Sequence, residues 1–94
     1  YIKFLDYDRI QDSLILRTPE PGDRMVIRSD GAVKKLNRIL SDRKIERTER
    51  NKVPVIACDS EIVWAVGIRI GENYKVTDNT SRIICLEYKE EKNR

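Results

Sequence analysis

The sequence predicts an α+β fold, a small single domain in which a mainly antiparallel sheet carries one main helix and a second short helix. Three observations support this prediction. Short apolar runs typical of strands recur along the chain, helical spacing is confined to residues 33–40, and turn residues separate the runs. With 94 residues the chain has room for one core, and no linker or internal repeat divides it.

The strands are predicted from their apolar runs and from the turns between them. Pro21 presets the backbone φ angle of a turn, and Gly22 can supply the positive φ that a type II turn requires next. The predicted strands cover residues 2–7, 14–17, 25–27, 55–58, 62–66, 68–70, 74–76 and 82–88. The charged tail, residues 89–94, is expected to fray.

The main helix is predicted over residues 33–40, with Ser29 or Asp30 capping its start. Four apolar residues recur there at helical spacing: Val33, Leu36, Ile39 and Leu40. A second short helix is predicted over residues 47–51, and Pro54 stops it. The predicted core consists of Leu36, Leu40, Ile56, Trp64, Ile84 and Leu86.

Positive charge is concentrated in one part of the chain. The net charge is only +3, but residues 33–52 hold eight basic residues against three acidic ones. Such a cluster favours an anionic partner, because neighbouring cations neutralise phosphates and release their counterions. The candidate nucleic-acid-binding residues are Lys34, Lys35, Arg38, Arg43, Lys44 and Arg47, with Arg17 and Arg24 beside the Pro-Gly turn. Two alternatives stay open: a solvated basic helix, and a surface ion pair of Arg24 with Asp23 or Glu20.

The composition argues against an active site or a cofactor site in this chain. No histidine, nucleotide-binding glycine-rich loop or catalytic serine motif is present in the sequence, so neither ATP nor zinc is expected to bind. Cys58 and Cys85 each lie in an apolar run and are expected to be buried thiols. No apolar run approaches the ~18 residues of a membrane helix, so we expect a cytoplasmic protein without membrane contact.

A series of short motifs carries a family resemblance. In chain order they are Pro21-Gly22-Asp23-Arg24, Gly31, Lys34-Lys35-Leu36, Lys44-Ile45, Arg50, Val53-Pro54-Val55, Ile62-Val63-Trp64, Gly67, Arg69-Ile70 and Tyr74-Lys75-Val76-Thr77. Their order and spacing resemble the C-terminal domain of bacterial tRNA(Ile)-lysidine synthetase, over roughly residues 16–80.

The resemblance implies a tRNA-binding accessory domain of a larger ligase. In that family an N-terminal domain uses ATP and Mg²⁺ to attach lysine to the wobble cytidine of an isoleucine tRNA. The product, lysidine, allows the anticodon to read AUA. The Ser-Gly-Gly-x-Asp-Ser loop that binds ATP there is missing from this sequence, so no catalytic residue carries over and this chain alone is not expected to be an enzyme.

The implied partners are the isoleucine tRNA and the N-terminal catalytic domain of the same protein. Because the chain opens on Tyr1 and not on methionine, we expect residues 1–94 to be one C-terminal domain excised from a longer protein. The alternative function is a docking or dimerisation module of a larger cytoplasmic enzyme, whose basic face packs on an acidic protein surface. This alternative leaves a homodimer open.

Overall fold

The computed structural model describes residues 1–90, and its architecture confirms the predicted α+β class. In chain order the elements are β1 (Ile2–Asp6), β2 (Ile15–Arg17), β3 (Arg24–Val26), β4 (Val33–Lys35), α1 (Leu36–Asp42), α2 (Arg47–Arg50), β5 (Val55–Cys58), β6 (Glu61–Ala65), β7 (Arg69–Ile70) and β8 (Ile83–Glu87), with 3-10 turns at Tyr7–Arg9 and Glu72–Tyr74. The fraying predicted for residues 89–94 falls mostly on residues 91–94, which lie outside the described residues.

Six of the strands form the main sheet, in which β2, β5, β6, β3 and β4 lie side by side and β7 pairs with β6. These pairs are antiparallel except for β3 with β6. The other two strands, β1 and β8, form a separate antiparallel ribbon in which Ile2 lies opposite Glu87. The ribbon therefore places residues from the start of the chain beside residues from its end.

Two apolar clusters hold these layers together. The first joins α1 to one face of the main sheet and contains Met25, Leu36, Ile39, Leu40, Val55, Ala57, Ile62 and Ala65. The second joins the ribbon to the other face of the main sheet and contains Leu5, Val63, Ile70 and Tyr74. Each layer thus buries one apolar face against the main sheet, which is how small domains of this class gain a core.

The predicted main helix begins three residues later than the sequence suggests. Residues 33–35 form β4, which pairs with β3 through a turn in which the Ala32 N–H donates to Asp30 Oδ1 at 3.0 Å. Val33 is consequently 54% exposed and belongs to neither cluster. The predicted cap is also wrong, because the Leu36 N–H at the start of α1 donates to the Asp23 carbonyl at 2.9 Å. Helical spacing of Val33 and Leu36 fits a strand followed by a helix equally well, and strand pairing decides between them.

The strand predicted over residues 74–76 is a 3-10 turn followed by a single bridge. The Tyr74 N–H donates to the Gly71 carbonyl at 3.0 Å, which closes the turn, and only Lys75 bridges to Leu5 of the ribbon. Tyr74 is buried at 4% exposure, and its hydroxyl donates to Glu61. Burial of this ring and its hydrogen bond outweigh the strand tendency of the local sequence.

The predicted core is confirmed in part. Leu36, Leu40 and Trp64 are buried, whereas Ile56, Ile84 and Leu86 are half-buried and pack around the second cluster. The two cysteines depart from the prediction: Cys58 is half-buried and Cys85 is exposed. Cys85 lies opposite Phe4, which is itself 60% exposed, on the outer face of the ribbon. Ile2 and Ile83 on the same face are also more than half exposed, so an apolar run did not guarantee burial there.

Candidate nucleic-acid interface

The Pro-Gly turn is built around a buried ion pair. Both amino groups of the Arg17 guanidinium donate to the Asp23 carboxylate at 2.8 Å, and the Asp23 side chain is 3% exposed. The Glu20 N–H donates to the same carboxylate at 2.8 Å, and Gly22 takes the positive φ of 89° that the turn requires. Arg17 also donates to the Asp59 carbonyl at 2.9 Å, which ties the turn to the β5–β6 hairpin.

This geometry decides between two interpretations of the turn. The sequence offered Arg24 as a partner of Asp23, but Arg17 fills that place and Arg24 is exposed. Burial of Asp23 raises its pKa, but hydrogen bonds from Arg17 and the Glu20 backbone outweigh burial and leave that pKa below its usual range. Arg17, which was predicted to bind nucleic acid, therefore serves the fold.

A basic groove with a volume of about 430 Å³ lies between β1, β4, the end of α1 and β7. Its cations come from five separate segments: Lys3, Lys34, Arg43, Arg69 and Lys75. Isoleucines of the surrounding elements form its apolar floor, and Asp42 is the one carboxylate among the lining residues described. A concave surface with this charge suits an extended anion such as a phosphodiester chain.

The fold holds both guanidinium groups of the basic groove in place. Arg43 follows α1, and its side chain donates to the Ile68 carbonyl at 2.7 Å. Arg69 donates to the Ile27 carbonyl at 3.3 Å, which bridges β7 to the residue after β3. Side chains that are positioned before binding lose less conformational freedom when an anion arrives.

The acidic residues near the basic groove neutralise it only in part. Lys34 forms an ion pair with Asp42 and lowers the pKa of that carboxyl by hydrogen bonding to it. Glu72 lies 2.8 Å from Lys75 and 3.6 Å from Arg69. Lys3 and Arg43 have no ion-pair partner among residues 1–90. Because exposed ion pairs are weak, the paired lysines also remain available to a phosphate.

The predicted basic residues do not form a single patch. Lys34 and Lys35 are neighbours in β4 and point to opposite faces, so only Lys34 reaches the basic groove, where Arg43 joins it. Lys35 lies directly opposite Arg24 on the face away from Met25 and α1. The remaining predicted residues, Arg38, Lys44 and Arg47, are exposed and form no ion pair within the described part of the chain.

Sequence reasoning missed three cations of the basic groove. Lys3, Arg69 and Lys75 are isolated basic residues between apolar neighbours, so no local charge run marks them. They converge because the ribbon carries Lys3 to the segment that bears Lys75, through the bridge between Leu5 and Lys75. Only long-range strand pairing contains this information.

Comparisons with known sequences indicate one family. A family profile described as the TilS substrate C-terminal domain matches residues 14–86. A tRNA(Ile)-lysidine synthase of Caldanaerobacter subterraneus is 43% identical over 91 residues, covering 97% of this chain and 20% of the relative. The corresponding protein of Dehalococcoides mccartyi is 38% identical over 88 residues, covering 94% of this chain and 19% of the relative. The chain thus spans about a fifth of the length of these relatives.

A solved structure has a similar fold. The crystal structure of a TilS C-terminal domain superposes with a TM-score of 0.73 at 28% identity, covering 89% of this chain and 65% of that one. None of the helices found in residues 1–90 is long and apolar enough to cross a membrane. The matched residues 14–86 contain the Pro-Gly turn, both helices and four of the five groove cations. The chain therefore belongs to the TilS C-terminal domain family of tRNA(Ile)-lysidine synthases.

Proposed function

We propose that this chain is a tRNA-binding accessory domain of an ATP-dependent ligase that attaches lysine to the wobble cytidine of an isoleucine tRNA. Residues 1–94 would form its C-terminal domain, and the N-terminal catalytic domain of the same protein would be its covalent partner. ATP and Mg²⁺ belong to that catalytic domain in this proposal, and this chain contributes no catalytic residue.

The observation that carries the proposal is the basic groove. Within residues 1–90, five cations and one carboxylate line this groove. Two of the cations are arginines whose guanidinium groups donate to backbone carbonyls. Phosphates of an RNA backbone satisfy such a site through charge-assisted hydrogen bonds and the release of condensed counterions. The exposed Arg38, Lys44 and Arg47 extend positive charge beyond the groove along α1 and α2.

Contacts of this kind recognise shape more than base identity. The deep major groove of an A-form helix hides its base edges from side chains, so phosphates and 2′-hydroxyls supply most contacts. We therefore expect the groove to bind duplex regions of many tRNAs with similar affinity. Discrimination of the isoleucine tRNA then rests on other parts of the enzyme or on a second site.

The test is a filter-binding titration of tRNA at two salt concentrations with the chain and two double variants. Lys3→Gln/Lys75→Gln neutralises two exposed groove lysines. Lys52→Gln/Lys89→Gln removes the same charge from lysines that do not line the basic groove. At a slope of about −0.9 per phosphate contact, the groove variant should flatten log K against log salt by about 2 and weaken binding ten- to thirty-fold near 0.15 M salt. The matched control should change the slope by less than half as much.

Equal behaviour of the two variants would contradict the proposal. If the groove variant left tRNA affinity unchanged and instead loosened the domain from the rest of its enzyme, the docking alternative would replace it. Reversal of both Lys34 and Lys35 is a poorer test, because Lys34 is half-buried against Asp42 and Lys35 lies on the other face of β4.

A further inference from the structure

A second concave site, the polar cleft, lies on the sheet face opposite α1. It has a volume of about 470 Å³, within the size range of small-ligand sites, and lies between the β5–β6 hairpin turn and the two 3-10 turns. Its described lining carries two cations, Arg9 and Arg24, and two carboxylates, Asp59 and Glu61, beside Asn73 and Tyr74. Arg24 was predicted from sequence to bind nucleic acid, and the structure places it here and not in the basic groove.

Backbone pairing fixes the cationic rim of the polar cleft beside its acidic wall. The Arg24 N–H donates to the Ser60 carbonyl at 3.0 Å, and Arg24 lies alongside Glu61 in the parallel pair of β3 with β6. Even so, Arg24 makes no ion pair with any carboxylate in residues 1–90, and Arg9 reaches only Asp6 at 4.0 Å. Because the arginines and Glu61 line the same cleft and form no ion pair with each other, a ligand with both an anionic and a donor group can contact both.

The acidic wall of the polar cleft has unused hydrogen-bond acceptors. The buried Tyr74 hydroxyl donates to one carboxylate oxygen of Glu61, which orients that carboxylate. Burial and the Glu61 carboxylate raise the pKa of Tyr74, so its hydroxyl stays a donor. The other Glu61 oxygen accepts no hydrogen bond from the described residues, and the buried Asn73 Oδ1 has no partner there either. Native proteins rarely leave a buried oxygen such as Asn73 Oδ1 unsatisfied, and the exceptions mark candidate ligand contacts.

We propose that the polar cleft binds one unpaired nucleotide of an RNA, with Arg9 and Arg24 on its phosphate and Glu61 on an amino-bearing base edge. Guanine, adenine and cytosine each carry an amino group that can donate a hydrogen bond to a carboxylate, whereas uracil carries only carbonyl oxygens at the corresponding positions. Unpaired nucleotides expose these edges, and duplex RNA hides them. This inference rests on the proposed function, and it adds a base-reading site to the shape-reading groove.

The test uses ¹H–¹⁵N spectra of the chain during titration with the four nucleoside 5′-monophosphates and with inorganic phosphate. GMP, AMP and CMP should shift the amide signals of Ser60, Glu61 and Asn73, with UMP binding about tenfold more weakly. Inorganic phosphate should shift these signals least, since it offers no group to Glu61. Shifts that appear only around the basic groove, or equal binding of UMP and GMP, would overturn the proposal.

Three variants assign the contacts. Glu61→Gln keeps an acceptor for Tyr74 but removes the charge, and it should abolish the preference over UMP. Arg24→Gln, on an exposed side chain, should weaken all four nucleotides alike and keeps the test decisive if the Glu61 variant does not fold. Arg28→Gln changes an exposed arginine outside the polar cleft and should leave nucleotide binding unchanged.

The outcomes for the polar cleft and for the proposed function are distinguishable. If nucleotides cause no shift of the cleft amide signals while tRNA still binds, only the nucleotide site in the polar cleft is rejected. Absence of tRNA binding with intact nucleotide shifts would reject the proposed function alone. The two readouts fall on different residues, because no residue of the described chain lines both sites.

Discussion

The Pro-Gly turn and the basic groove use arginine in opposite ways. The Arg17 side chain is 16% exposed, donates two hydrogen bonds to a buried carboxylate and ties the Pro-Gly turn to the β5–β6 hairpin. Arg43 in the groove is exposed, donates to one backbone carbonyl and has no ion-pair partner among residues 1–90. Both were predicted from sequence as members of one nucleic-acid-binding set.

The difference shows that burial decides whether an arginine stabilises the fold or remains available to bind a ligand. A guanidinium that is satisfied by a buried carboxylate cannot bind a phosphate without breaking that pair, which costs several kcal/mol. A guanidinium anchored by a single carbonyl keeps its remaining donors free for a ligand. Stability and binding should therefore respond separately to substitutions in the two regions.

The largest effect is expected for Asp23→Ala. This change leaves the Arg17 guanidinium partly buried without its carboxylate, and should lower the free energy of unfolding by about 3–5 kcal/mol. Glu20→Ala is the control, because that carboxylate lies 3.8 Å from the same arginine but is 65% exposed, so its loss should cost less than about 1 kcal/mol. Urea denaturation measures both, and equal losses would break the comparison.

The same substitution in both regions sharpens the contrast. Arg43→Gln should weaken tRNA binding about fivefold near 0.15 M salt, the contribution of one phosphate contact, and cost about 0.5–1.5 kcal/mol of stability. Arg17→Gln should destabilise the fold by about 3 kcal/mol or more and leave the affinity of the folded fraction unchanged. Paired filter-binding and denaturation experiments test this. An Arg17 variant that folds well and loses tRNA would refute the assignment.

Acid should act on the turn through Asp23. The pKa of this carboxyl is lower in the folded state than its usual value, so the unfolded chain binds more protons between the two values. The stability from this group is therefore fully present above the unfolded pKa, near 4, and is lost as the pH falls through the folded pKa. Denaturation from pH 7 to pH 2 should show a smaller acid loss in Asp23→Asn than in the original chain.

The smallest effect is expected for Asp42→Asn in the basic groove. The change removes the one carboxylate among the described lining residues and frees Lys34, so tRNA affinity should rise about two- to threefold at low salt. The fold should be unaffected, because the carboxylate is exposed. A decrease in affinity would mean that the pair with Asp42 positions Lys34, and that it does not compete with phosphate.

Much of the fold could be read from local patterns. Apolar runs located seven of the eight strands of the described chain, the Pro-Gly turn was recognised from its φ requirements, and both helices were found. These features depend on neighbours within a few residues. The start of α1 was missed because Val33 fits both periodicities until β3 pairs with it.

The sequence by itself determined the α+β class, the family and an excess of basic residues over positions 33–52. Only the tertiary structure decided what each cation does. Pairing of β4 with β3 places Lys34 and Lys35 on opposite faces, and the ion pair with buried Asp23 occupies Arg17. The ribbon brings the segment of Lys3 to that of Lys75. The strength of a charge interaction depends on the distance between the groups and on how far water screens them. Both the distances and the burial are set by strand pairing between segments that are far apart in the chain.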